Sequence, residues 1–211
     1  MRCFKLPITA ALLSCLIAMP ACTRMGAQAA TTETLVIFRH GEKPAGGLGQ
    51  LNCRGLNRAI ALPAVLDAKF GRPDYLFAPD PAVKVRDGLL EEYSYVRPLA
   101  TLEPTAIRLG MPVNTQIGYS QIDQLERELL QPKYASAKIF IAWEHWYEER
   151  FTKHLLSHLG ASDSAVPGWP GSEYDMIYVV KITRSGNKTT ASFTLDHEGL
   201  NDKLSDSCPV R

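Results

Sequence analysis

Short apolar runs alternate with amphipathic segments along most of this chain, and this alternation restricts the possible folds more than any other feature. The runs have the length and β-branched content of buried strands and lie at residues 34–38, 74–78, 112–114, 138–143, 176–182 and 191–195. Apolar residues at helical spacing occupy the intervals 54–70, 98–109, 122–130 and 147–159. Strands that alternate with helices predict a three-layer α/β/α sandwich around a mostly parallel sheet. The last two strands are joined by Ser185-Gly186-Asn187, which predicts a hairpin and therefore a mixed sheet.

Length and charge limit the function classes. The chain has 211 residues, enough for one domain with a full hydrophobic core. Its formal net charge is only +1, whereas proteins that bind nucleic acid usually carry a strong basic excess. No nucleic-acid partner is therefore expected.

The N-terminus has the pattern of a secretory signal peptide. Arg2 and Lys5 precede an apolar stretch at 6–19, and Ala27-Gln28-Ala29 resembles a cleavage site. The apolar stretch is short for a transmembrane helix. We therefore predict a signal peptide at residues 1–29, a catalytic domain at 30–211, and a periplasmic or secreted location.

Cysteine positions bear on processing and on redox state. Met19-Pro20-Ala21-Cys22 resembles a lipoprotein processing site, so membrane attachment is expected only if Cys22 is lipidated. Cleavage after Ala29 leaves Cys53 and Cys208 as the remaining cysteines of the mature chain. In an oxidising compartment these two predict a disulfide bond.

Two histidines follow predicted strands of the sheet. Arg39 and His40 come directly after the first strand, and Glu144-His145 follows the strand at 138–143. Ligands of open α/β sheets bind outside the carboxyl ends of the strands, so these side chains are expected to share one pocket. A neutral imidazole can attack phosphorus, and arginines bind phosphoryl oxygens through bidentate bonds.

Four segments in order resemble the histidine phosphatase superfamily, which has the phosphoglycerate-mutase-like fold. Arg39-His40-Gly41-Glu42 after an apolar strand resembles its signature, and residues 51–59 resemble Leu-Thr-x-x-Gly-x-x-Gln-Ala. Glu103-Pro104-Thr105-Ala106 is similar to the Gln-Thr-Ala helix that carries the second core arginine. Residues 139–145 are similar to the strand that delivers the second core histidine. The resemblance covers residues 35–156.

The resemblance implies a phosphomonoesterase similar to the histidine acid phosphatases, acting on a small phosphorylated substrate. His40 would form a phosphohistidine that water then hydrolyses. Arg39, a second arginine and His145 would hold the phosphoryl group, and neither a metal nor another cofactor would be needed. Phosphoryl transfer depends mainly on positioning and on stabilisation of charge, which such a site supplies.

The second arginine departs from the family pattern, in which it lies four residues before the helix threonine. That position, four residues before Thr105, holds Thr101. The nearest arginine is Arg97, one helical turn earlier and just before Pro98. We expect Arg97 to bind the phosphoryl group from the loop, because phosphate sites favour arginine.

The general acid is open. A leaving alkoxide needs a proton, and Glu144 is the first candidate because it adjoins His145. A purely orienting role for Glu144 is equally open. The other carboxyl groups considered are Glu42, Glu103, Asp123 and Glu148.

Two alternatives to a phosphatase remain at this level. A phosphomutase of the same fold would need a phosphate donor. A non-catalytic envelope protein that binds phosphorylated ligands is the alternative that the displaced arginine keeps open.

Overall fold

The structure is a computed structural model that describes residues 29–88 and 90–209. The predicted signal peptide and Cys22 fall in residues 1–28, outside the described part, so export and lipidation remain predictions. Within the described ranges, no helix has both the length and the apolar character needed to cross a membrane.

The described residues form eight strands and four α-helices. The strands are β1 (Thr31–Arg39), β2 (Tyr75–Phe77), β3 (Lys84–Asp87), β4 (Glu91–Ser94), β5 (Val113–Asn114), β6 (Lys138–Trp143), β7 (Met176–Ser185) and β8 (Lys188–His197). The helices are α1 (Cys53–Phe70), α2 (Arg97–Leu109), α3 (Ile122–Leu129) and α4 (His145–His158).

The central sheet is mixed, as predicted. Its strand order is β5-β2-β6-β1-β7-β8. The β5-β2, β2-β6 and β6-β1 pairs are parallel, whereas β7 runs antiparallel to β1 and β8 antiparallel to β7. The carboxyl ends of β1, β2 and β6 therefore lie at one edge of the sheet.

Helices cover both faces of this sheet, which confirms the three-layer sandwich. Val36 and Phe38 of β1 belong to a core that also contains residues of α1 and α2. Leu35 and Ile37 belong to a second core on the other face, with residues of α3 and α4. All four side chains have zero exposure, which explains why β1 is apolar throughout instead of alternating.

The polar segment at 82–95 forms structure that its composition did not predict. Strands β3 and β4 pair antiparallel as a separate hairpin, with Lys84 opposite Ser94 and Asp87 opposite Glu91. The chain then enters α2 directly. This hairpin therefore places its side chains next to the start of α2.

The predicted disulfide bond is present. Cys53, the first residue of α1, is bonded to Cys208, with their Cα atoms 4.4 Å apart. The amide of Asn57 donates to the carbonyls of Ser205 and Ser207, each at 2.8 Å. The C-terminal tail is thus held on the helix that follows the first motif.

Candidate active site

The structure brings His40 and His145 to the same edge of the sheet. Arg39 of β1 pairs with Trp143 of β6, and the His40 N–H donates to the Trp143 carbonyl at 3.0 Å. His145 is the first residue of α4, two residues beyond Trp143. The register between two parallel strands therefore places both histidines at the carboxyl ends of neighbouring strands.

The His40 ring is held as a neutral tautomer. It is 2% exposed, and its Nδ1 lies 2.7 Å from the Gly41 carbonyl oxygen. A carbonyl only accepts, so Nδ1 carries the proton and Nε2 keeps its lone pair. Burial, followed by the positive charges of Arg97 and Arg39, lowers the pKa of His40 well below its usual value. Nε2 is therefore available as a nucleophile at neutral pH.

Two glycines allow the first turn of α1 to pack directly on the histidine loop. A Cβ added to Gly41 would lie 2.8 Å from the Gly55 carbonyl oxygen, and one added to Gly55 would lie 2.3 Å from the Glu42 carbonyl oxygen. Asn52 caps α1 by accepting from the Gly55 N–H at 2.8 Å. A side chain at either glycine would displace the loop that carries His40.

Arg39 is anchored through one end of its guanidinium. Its Nη1 donates to the carbonyls of Gly171 and Glu173, at 2.9 and 2.7 Å. The ring of Tyr174 lies 3.9 Å from its Cζ. Its Nε is buried and has no hydrogen-bond partner among the described residues.

Arg97 shows the same arrangement. Its Nη1 donates to Asp87 Oδ2 at 2.5 Å and to the Gly47 carbonyl at 3.2 Å, while Nη2 lies 3.4 Å from Asp87 Oδ1. Its Nε is also buried without a partner within the described ranges. Arg39 is therefore held through Nη1 and Arg97 through Nη1 and Nη2, and each leaves its Nε donor unused.

Thr101 connects the start of α2 to the loop that carries His40. The Thr101 hydroxyl donates to the Arg97 carbonyl at 2.9 Å and accepts from the Gly41 N–H at 2.9 Å. Thr101 thus contacts the loop that carries His40 and lies four residues after Arg97. Arg97 is the first residue of α2, so the expectation that it would act from a loop is wrong.

Tyr95 is a site residue that the sequence reasoning missed. Its ring lies 6.0 Å from that of His40, edge to face, and the Arg97 Cζ lies 4.8 Å from it. The side chain has zero exposure, and the hydroxyl has no partner among the described residues. Burial, followed by the charge of Glu144, raises the pKa of Tyr95 well above its usual value. The sequence feature that could have identified Tyr95 is its position two residues before Arg97.

Glu144 caps the helix that carries His145. Its Oε2 accepts from the N–H groups of Trp146 and Tyr147, at 3.0 and 3.2 Å. Its Oε1 lies 2.5 Å from His145 Nδ1, but the contact lacks hydrogen-bond geometry. Burial opposes ionisation of this carboxyl, yet its contacts with His145 and the Tyr147 N–H lower its pKa overall. An ionised helix cap favours the orienting role, and the general-acid role stays a prediction.

The other candidate carboxyl groups differ in environment. Glu148 is 1% exposed and accepts from the Trp143 N–H at 3.1 Å, and burial raises its pKa well above the usual value. Glu42 is bound to Arg58 by hydrogen bonds of 2.7 and 3.0 Å, and these help to lower its pKa. Glu103 and Asp123 are exposed. Among these four, Glu148 has the environment that most favours a protonated carboxyl.

Comparison with known proteins finds similarity in structure but not in sequence. No family model and no curated protein matches the sequence. A proposed phosphohistidine phosphatase SixA from Nakamurella multipartitia superposes with a TM-score of 0.52 at 16% identity, over 81% of this chain and 98% of that chain. A mycobacterial glucosyl-3-phosphoglycerate phosphatase gives a TM-score of 0.50 at 15% identity, over 78% and 97%. A proposed alpha-ribazole-5'-P phosphatase from Escherichia coli gives 0.50 at 12%, over 85% and 99%. The chain therefore has the fold of the histidine phosphatases, the phosphoglycerate-mutase-like fold.

Proposed function

We propose that this protein is a phosphomonoesterase that acts through a phosphohistidine on His40. One observation carries the proposal. Around a neutral, buried imidazole lie three buried donors that have no partner among the described residues, namely Arg39 Nε, Arg97 Nε and Tyr95 Oη. A donor buried without a partner costs about 1–3 kcal/mol. An anionic group bound at His40 would accept from these donors and offset that cost.

The geometry suits a phosphoryl group in particular. Each guanidinium keeps its Nε side free, and arginine binds phosphate through two parallel N–H donors. Two arginines with free Nε sides fit an anion with several equatorial oxygens. His145, half-buried beside Glu144, would complete the set of groups around that anion.

The reaction follows from these positions in two displacements. His40 Nε2 attacks phosphorus, the bond from phosphorus to the leaving oxygen breaks, and that oxygen takes up a proton. Water then attacks the phosphohistidine, the P–N bond breaks, and inorganic phosphate leaves. Arg39 and Arg97 stabilise the charge on the equatorial oxygens in both steps.

The binding-protein alternative was motivated by a displaced arginine. The Arg97 Cζ lies 4.8 Å from the Tyr95 ring, and that ring borders His40, which supports a role for Arg97 beside His40. Together with the neutral state of His40, this favours turnover over simple binding. A phosphomutase remains an outcome to be tested with a phosphate-accepting alcohol.

We also propose an exported location, periplasmic or secreted. The disulfide between Cys53 and Cys208 supports it, because such bonds persist mainly in oxidising compartments. Whether Cys22 is lipidated can be tested by mass spectrometry of the mature N-terminus.

Hydrolysis of p-nitrophenyl phosphate tests the proposed activity. Wild-type protein should release phosphate, and His40→Ala should release none above background while keeping its melting temperature. His197→Ala is the matched control, since His197 is an exposed histidine at the end of β8. Activity in His40→Ala equal to that of the wild type would refute the proposal.

A further inference from the structure

The hairpin of β3 and β4 contributes a buried carboxylate to the phosphoryl site. Asp87 is 6% exposed, although it lies on a hairpin whose other side chains are largely polar and accessible. Its Oδ2 accepts from Arg97 Nη1 at 2.5 Å and from the Gly49 N–H at 2.8 Å. Lys43 Nζ lies 3.9 Å from its Oδ1. The carboxylate therefore connects the hairpin, the loop after His40 and the start of α2.

The contact uses only one end of the Arg97 guanidinium. Asp87 and the Gly47 carbonyl accept from Nη1, at 2.5 and 3.2 Å, so both Nη1 hydrogens have acceptors. The second contact, from Nη2 to Asp87 Oδ1, is longer at 3.4 Å. Because the guanidinium is planar and rigid, a carboxylate that fixes the Nη1 end also fixes the direction of the Nε side. Asp87 and a phosphoryl group would therefore bind different sides of Arg97 and need not compete.

The loop at 44–50 closes directly on this carboxylate. Gly47 has a φ of +73°, and a Cβ added there would lie 2.2 Å from Asp87 Cγ. A Cβ added to Gly49 would lie 2.1 Å from the Ser94 carbonyl oxygen. Two glycines thus let the backbone approach the hairpin closely enough to confine the Asp87 side chain. The carboxylate is held in place rather than free to swing away from Arg97.

We infer that Asp87 is the positioning residue for Arg97, orienting its Nε side toward the phosphoryl group on His40. This inference rests on the proposed phosphatase function. Arg39 reaches an equivalent orientation through the two carbonyls of Gly171 and Glu173. The two arginines are therefore positioned by different means, and only Arg97 depends on an ionised side chain.

The variant Asp87→Asn tests the inference. Asparagine keeps the size of the side chain and can still accept from the Gly49 N–H, but it loses the charge that holds Arg97. We expect kcat/KM for p-nitrophenyl phosphate to fall roughly tenfold, the low end of the effect of removing an orienting partner at a ligand site. The inhibition constant of inorganic phosphate should rise in parallel. Glu92→Gln is the matched control, because Glu92 is an exposed carboxylate of the same hairpin that pairs with Arg86.

A double-mutant cycle separates positioning from support of the fold. In an Arg97→Ala background, Asp87→Asn should cause no further loss of kcat/KM, because the group that it orients is absent. An equal loss in that background, or unchanged kcat/KM and phosphate inhibition in Asp87→Asn alone, would overturn the inference. If the wild type does not turn over any phosphomonoester, the proposed function fails separately. In that case, the rise in melting temperature caused by inorganic phosphate tests the role of Asp87. An equal rise in the wild type and in Asp87→Asn would overturn the inference.

Discussion

The hydroxyl of Thr101 accepts a hydrogen bond from the backbone N–H of Gly41 at 2.9 Å. Both residues are buried. The contact joins α2, which begins with Arg97, to the loop that carries His40. One side chain thus links the position of His40, the proposed nucleophile, to that of Arg97, the proposed phosphate ligand.

Thr101→Val should therefore destabilise the protein and impair catalysis. Valine has nearly the same shape but leaves the Gly41 N–H without an acceptor, at a cost of about 1–3 kcal/mol. Urea unfolding should show the loss of stability, and kcat/KM should fall with it. Thr105→Val is the control on the same helix. The Thr105 hydroxyl is buried without a partner in the described structure, so its removal should leave stability unchanged or raise it. Equal effects of the two variants would contradict the role given to Thr101.

Tyr95→Phe should move activity and stability in opposite directions. The variant removes a buried hydroxyl that has no partner among the described residues, so the free energy of unfolding should stay the same or rise. If that hydroxyl donates to the phosphoryl group, kcat/KM should fall about tenfold, which equals roughly 1.4 kcal/mol of transition-state stabilisation. Steady-state kinetics and urea unfolding on one preparation measure both. Unchanged kinetics would remove Tyr95 from the site.

Glu144→Gln distinguishes a general acid from an orienting cap. Loss of a general acid slows hydrolysis of a substrate with a poor leaving group and hardly affects one with a good leaving group. Loss of the group that orients His145 slows hydrolysis of both substrates to a similar degree. The lowered pKa of Glu144 favours orientation, so we expect similar losses with an alkyl phosphate and with p-nitrophenyl phosphate. A loss confined to the alkyl phosphate would instead support the general-acid prediction made from the sequence.

Glu33 should make stability depend on pH. It has zero exposure, and burial, opposed by Arg184, raises its pKa to about 7 from 4.5. Between these values the folded state holds a proton that the unfolded state has released, so stability falls as pH rises from about 4.5 to about 7. Glu33→Gln should flatten this part of the profile in urea unfolding at several pH values. An unchanged slope would show that Glu33 is ionised throughout.

The sequence predicts the parts of this site that depend on local patterns. The apolar strands β1 and β6 place His40 and His145, and each pattern can be read from a few neighbouring residues. The threonine of α2 that contacts the histidine loop was harder to predict, because Thr101 and Thr105 lie one turn apart and both are buried. Only the packing of α2 against Gly41 distinguishes them.

The contribution of the β3-β4 hairpin could not be predicted in the same way. Its segment is polar and has no clear periodicity, so nothing in the sequence indicates that Asp87 is buried. The burial results from contacts with Arg97, ten residues later, and with Gly47 and Gly49 of a separate loop. Tyr95 was missed although it lies two residues before Arg97, because its contact with His40 depends on tertiary packing.

Trapping the proposed covalent intermediate tests whether His40 is phosphorylated during turnover. Wild-type protein is mixed with a ³²P-labelled phosphomonoester and quenched with denaturant within the first turnovers. We expect label on the protein that is lost in acid and retained in alkali, as is typical of phosphohistidine, and that peptide mapping locates to His40. His40→Ala should carry no label. Turnover without any labelled protein would contradict a phosphohistidine intermediate on His40. Label that survives acid, or that persists in His40→Ala, would contradict it as well.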